Sequence, residues 1–435
     1  MTAENNINHK TILDLAGPMI LANISIPLLG MVDTAVIGHL DSPHYLGGVA
    51  VASLIFSFLF WGFGFLRMAT TGLTAQAHGE NNQQLSLKIL QHSLLLALAI
   101  ASGILLLQSP IADLALSIID SSERITNAAI IYFDIRIWSA PGILINYVIL
   151  GWLIGKGLTK QALYLVLSVT ISNIILDLIF VNVLGMNVDG VALASVIAEY
   201  IGLLVGLKIL IHNGIDPRLL IANHQTQLQG QNWFHLHGNI FIRSLCLIFS
   251  IAFFTTQGSK QGELILAANS VLINFIVLMA FVLDGFANAI EVIAGKAIGS
   301  KNQQQLSQGL KLTALWMFAI ACLFSVSYIL LGSTIITLLT TIPDVVSIAN
   351  DYLIWLIIMP VIAVWSFLLD GLFIGATRSV EMRNTMLFAT FICYLPAWYF
   401  LQQYDNHGLW FALLIFFAAR GLAQATYLPK ILSFK

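Results

Sequence analysis

Long apolar runs, separated by short polar or Gly/Pro turns, fill the chain from end to end. A helix needs about 20 mostly apolar residues to cross the hydrocarbon core of a bilayer. Twelve runs satisfy that length, with approximate limits 12–38, 46–75, 88–109, 127–154, 161–184, 188–211, 237–258, 263–295, 307–333, 347–375, 383–403 and 407–429. The longest polar gap lies near the midpoint and contains Asp216, Pro217 and Arg218. It divides the chain into an expected N-terminal lobe at 1–211, a linker at 212–236 and a C-terminal lobe at 237–435, six helices on each side.

Two halves of equal helix count invite a search for an internal repeat. Gly79-Glu80-Asn81-Asn82-Gln83-Gln84 resembles Gly299-Ser300-Lys301-Asn302-Gln303-Gln304, an offset of 220. Leu153-Ile154-Gly155 matches Phe373-Ile374-Gly375 at the same offset, and Pro141 pairs with Pro360, shifted by one. Because six helices separate the copies, both share one topology. The reading is an all-α membrane protein of twelve helices in two parallel six-helix lobes, with a cavity between halves that rock to give alternating access.

Composition agrees with the pattern. Residues are 58% hydrophobic and 9% charged, against about 25% charged in soluble domains. That excludes a soluble globular domain, and the hydrophobicity excludes a disordered chain. With 19 basic against 21 acidic side chains there is no basic field for nucleic acid. The polar start of the chain lacks the short apolar core and cleavage site of a secretory signal, so the first run is expected to stay as helix one. Thirteen Lys and Arg fall in one set of loops and the tails, against Arg124 and Lys260 in the opposite loops. The bias puts both termini in the cytoplasm. Cys246, Cys322 and Cys393 sit singly in apolar runs and read as small core residues.

Ionisable groups at bilayer depth cost about 2.5–3.5 kcal/mol each on insertion scales, so each asks for a reason. Asp33 lies deep in helix one. Asn173 and Asp177 are four apart in helix five and share a face, as do Ser195 and Glu199 in helix six. Asn146 lies mid-way along helix four. This set suits a site that binds and releases a proton or another cation, and no Lys or Arg lies in the apolar runs of helices one and five to neutralise it. Pro18 and Pro27 each remove a backbone hydrogen bond and could let helix one bend as the charge on Asp33 changes. In the second half Asp284, Asn288 and Glu291 form a stripe on helix eight, and Asp370 lies in helix ten. Arg67 and Arg136 read as structural partners of acids such as Asp134 or Glu291. The chain contains no GxxxxGK[ST] loop, no HExxH and no metal-ligand spacing of histidines, so no cofactor, metal site or catalytic residue is expected.

At these residues the chain resembles the multidrug and toxic compound extrusion (MATE) family, most closely its DinF-like branch (the DNA-damage-inducible protein F group). The resemblance is carried by Val32–Leu46, Thr71–Ala77, Val196–Tyr200, Leu283–Ala287 and Leu369–Asn384. It implies a drug/cation antiporter in the bacterial inner membrane with a V-shaped cleft between lobes. It implies further that Asp33 is the proton-linked acid of helix one, with Asp177, Asn173, Asn146 and Ser195 in the same first-lobe site. Asp370 matches an acid used by other branches, whereas their helix-seven glutamate has no match at 241–256, which favours protons over sodium. The expected partners are drug-like small molecules, H+ (alternatively Na+) and membrane lipids, with the chain acting as a monomer. A lipid-linked precursor flippase, a membrane-embedded enzyme and a passive channel are the competing readings. The first calls for a basic cavity, the second for a nucleophile or metal motif, and the third fits poorly with asymmetric acids in a two-lobe repeat.

Overall fold

A computed structural model describes residues 7–38, 43–118, 122–221 and 233–433. Among these residues every regular element is helical. In chain order the long helices are α1 (His9–Ile37), α2 (His44–Gly79), α3 (Gln83–Leu106), α4 (Glu123–Gly155), α5 (Thr159–Val183) and α6 (Val188–His212). The second half supplies α7 (Trp233–Ser259), α8 (Glu263–Gly299), α9 (Gln303–Leu339) and α10 (Pro343–Gly375). A last apolar stretch, Ser379–Ala425, runs 47 residues and breaks at a tight turn, Gln402–Tyr404. It therefore gives α11 over 379–401 and α12 (Asp405–Ala425). Helical backbone is what a bilayer demands, because every N–H and C=O must be satisfied within its own segment. Large apolar side chains such as Leu106, Val183 and Leu338 are more than 70% exposed, which a membrane face accommodates and water does not.

Several helices are interrupted where polar residues sit. In α2 the helical turns break at Phe63–Gly64. In α4 a tight turn over Ile137–Ser139 precedes Pro141, and Ser139 Oγ donates to the Arg136 carbonyl at 2.7 Å. The regular part of α5 ends at Asp177, and a π-helical turn, Leu178–Val183, follows. Such turns recur at functional positions in helices.

The expected repeat is visible in backbone detail. Asn82 caps α3 by accepting from the Leu85 N–H, and Asn302 caps α9 by accepting from the Gln305 N–H, both at 2.9 Å. The preceding residues, Asn81 and Lys301, share the same left-handed φ of 55°. A Cβ on Gly79 would lie 2.2 Å from the Lys296 carbonyl oxygen, and one on Gly299 would lie 2.1 Å from that of Gln76. Positions 76 and 296 are themselves repeat partners, so each copy offers the other the same patch, as across a two-fold axis.

Packing divides the chain into two compact units. One holds Met1–Ile20, Ala75–Asn81 and Asn232–Lys435, and the other holds Leu21–Thr74 and Asn82–Gln231. The first unit holds the anticipated C-terminal lobe together with 1–20 and 75–81, and the second holds the remainder of the anticipated N-terminal lobe. The start of α1 packs with the second half, where Gly285 leaves room for Ile20, whose Cγ1 would meet an added Cβ at 2.3 Å. Residues 222–232 of the anticipated linker lie outside the described residues. Its beginning forms a short helix, Pro217–Ile221, and the Leu219 carbonyl accepts a hydrogen bond from Gln91.

Candidate functional site

The first-half acids converge inside the unit that contains 21–74 and 82–231. Asn173 and Asp177, one turn apart on α5, are both fully buried. With the Asn173 amide turned to satisfy both its ends, its nitrogen donates to Asp177 Oδ2 at 3.0 Å and to Asp33 Oδ1 at 3.2 Å. Its oxygen accepts from the Ser195 N–H at 3.2 Å and from Ser195 Oγ at 3.1 Å. Asp33, half-buried on α1, thus lies beside the Asp177 carboxyl, both contacted by the one amide nitrogen. Two bare carboxylates in such contact repel each other, so one proton held between them would relieve the pair. Asp177 Oδ1 is left buried without a partner among the described residues.

Around this centre stands Tyr132 on α4, whose hydroxyl meets Ser53 and Ser195. Its ring packs on Phe56, which stacks with Phe133 at 5.1 Å. The apolar collar holds the hydroxyl in place and keeps the local dielectric low.

Asn146 and Glu199 form a separate group. Asn146 Nδ2 donates to Glu199 Oε2 and to the Glu199 carbonyl oxygen, each at 3.0 Å. Gly202 makes this approach possible: an added Cβ would lie 2.3 Å from Val169 Cγ2 and 3.1 Å from Asn146 Nδ2. Arg136, one turn after Tyr132, lies within electrostatic range of Asp33, Asp177 and Glu199. It thus stands near the first-half acids as well as being a candidate partner for Asp134 or Glu291. Neither Asp33 nor Asp177 is locked in an ion pair among the described residues.

The second-half candidates behave differently. Asp284 is exposed, while Asn288 and Glu291 on the same helix are buried. Asp370 is buried between two guanidiniums: its Oδ2 accepts from Arg243 and, at 2.5 Å, from Arg420, and its Oδ1 accepts from Gln424 at 2.6 Å. Arg420 also lies over the rings of Phe416 and Phe417. Asp370, the second-half candidate that resembles an acid of other branches, is thus held as an anchor of α7, α10 and α12. Pro18 and Pro27 both fall within the continuous helix α1. The three cysteines are free, and no cluster of metal-ligating side chains occurs among the described residues.

Hydropathy alone passed over Arg243 and Arg420, although each is a charge inside an apolar run and could have been flagged on that ground. Tyr132 offered a weaker signal, its spacing of one turn from Arg136.

Ten helical stretches among the described residues are long and apolar enough to cross a membrane, and with the repeat and the buried acid pair they define a polytopic membrane protein. The MatE family pattern matches residues 18–179 and 227–400, and the chain belongs to that family. It is 46% identical over 429 residues to DNA damage-inducible protein F of Escherichia coli, covering 96% of this chain and 91% of that one. It is 25% identical to the multidrug resistance protein NorM of Vibrio parahaemolyticus, over 95% and 93% of the two chains. Its fold matches a MOP superfamily transporter from Pyrococcus furiosus with a TM-score of 0.88 at 20% identity, over 98% and 97% of the chains. A MATE crystal structure in the bent conformation matches with a TM-score of 0.85. The chain is therefore a multi-pass transporter and not an enzyme.

Proposed function

We propose that this protein is a secondary antiporter that exports amphipathic, often cationic, organic compounds across the bacterial inner membrane in exchange for protons. The name of one relative, multidrug resistance protein NorM, supports drug-like substrates. The observation that carries the coupling is the Asp33–Asp177 carboxyl pair, bridged by one amide and held in no ion pair among the described residues. Such a pair binds a second proton without dismantling a salt bridge. That proton removes the remaining charge, weakens the hold of the Asn173 amide, and releases α1 to bend at Pro18 or Pro27. Bending closes the substrate site from one side, and proton loss to the cytoplasm resets it. Both termini lie in the cytoplasm in this scheme, following the basic loops.

Sodium is the second reading, because Asp177 Oδ1 is free to ligate a hard cation. Against it, Asn173 turns its nitrogen toward the carboxylates and spends its oxygen on Ser195, so the site presents a donor where sodium needs an oxygen. Transport in vesicles energised by a pH gradient alone, compared with a sodium gradient alone, separates the two. Proton coupling predicts uptake in the first and none in the second; the reverse result refutes it.

A further inference from the structure

The helices α9 and α12 both pack on α10 but make no extensive contact with each other. Between them lies a cavity of about 660 Å³, within the range of about 300–1,000 Å³ that encloses most of a small ligand. Three of the four residues on its α12 wall, Ala418, Gly421 and Ala425, have almost no side chain and leave the hollow open, with Leu422 as the fourth. A Cβ on Gly421 would already stand 3.3 Å from the Cβ of Trp365 on α10. Every lining residue is apolar except Lys311. That lysine lies eight residues into α9, about 12 Å from its start at 1.5 Å per residue. At one end the short helix Leu428–Leu432 reaches across to α9 and contributes Leu428 to the lining.

We propose that this groove holds one acyl chain of an anionic phospholipid, with the Lys311 ammonium on its phosphate. An apolar trough on a membrane-facing surface suits a hydrocarbon chain, since nothing in it satisfies a polar group. A lysine two turns inside a crossing helix extends its ammonium toward the headgroups and needs an anion there. No carboxylate lines the groove to supply one, and basic positions between membrane helices do select anionic headgroups. The same charge disfavours a cationic amphiphile, which separates this groove from the drug path.

The test is native mass spectrometry of the full-length protein incubated with equimolar phosphatidylglycerol and phosphatidylethanolamine of identical chains. The wild type retains phosphatidylglycerol in preference by about fivefold. Lys311→Gln, at an exposed position, brings that ratio near one while the protein stays folded. Ala418→Leu fills the trough and lowers the number of retained lipids by one. An unchanged headgroup ratio in Lys311→Gln overturns the proposal, as does an unchanged lipid count in a folded Ala418→Leu. Displacement of the retained lipid by ethidium, an amphipathic cation, would assign the groove to substrate and overturns it too.

Discussion

Asp370 and Asp177 are both buried aspartates, yet the two positions predict opposite responses to loss of charge. Asp370 compensates two buried guanidiniums. Asp370→Ala leaves Arg243 and Arg420 facing each other in a low dielectric, and breaking such a group costs about 3–5 kcal/mol. The expected result is a large fall in the apparent melting temperature, or failure to accumulate. Asp177→Asn keeps the shape and removes a charge that no ion pair depends on, so the fold should hold while coupled transport is lost. A backbone position supplies a gain: Lys301 holds φ 55° at the end of α8, where the Asn302 N–H reaches back to the Ala297 carbonyl. Glycine is the favoured residue at that place in a helix terminus. Lys301→Gly should therefore stabilise by about 1 kcal/mol, read as a rise in melting temperature; a fall would show that Lys301 makes a contact worth more than its strain.

At the scale of helices, the crossing of α2 and α8 depends on two glycines related by the repeat. Each faces a carbonyl oxygen closer than any Cβ tolerates. Gly79→Ala and Gly299→Ala should each push the helices apart and cost about 1–3 kcal/mol, by similar amounts. Thermal unfolding of the two variants checks this, and one silent substitution would contradict the two-fold reading of the crossing. The existence and order of the helices were legible in the sequence because a bilayer permits little else over 20 apolar residues. The breaks were not: the Phe63–Gly64 interruption, the Ile137–Ser139 turn and the π-helical turn after Asp177 leave hydropathy unchanged. The offset of 220 was also legible, because Asn caps and tight turns need particular residue types where apolar faces do not.

For the molecule as a whole, the two halves share a backbone plan and differ in polar content. The first half gathers Asn173, Asp177, Ser195 and Tyr132 around Asp33, with Asn146 and Glu199 alongside. The second half neutralises its buried aspartate with arginines. The sequence indicated the first group because amides and acids at spacing four in apolar helices have few other uses. It did not reveal which acid was already paired, since Arg243 is 127 residues from Asp370 and only the fold brings them together. Burying Glu199 against Asn146, apart from the aspartate pair, predicts a milder phenotype for Glu199→Gln than for Asp33→Asn in the same transport assay. The central claim is that the aspartate pair carries the exchanged proton. Purified protein in proteoliposomes, with a pH-sensitive dye reporting proton release on substrate addition, tests it most directly: the wild type should release protons, and Asp33→Asn and Asp177→Asn should release none while remaining folded. Undiminished release from either variant would contradict the account.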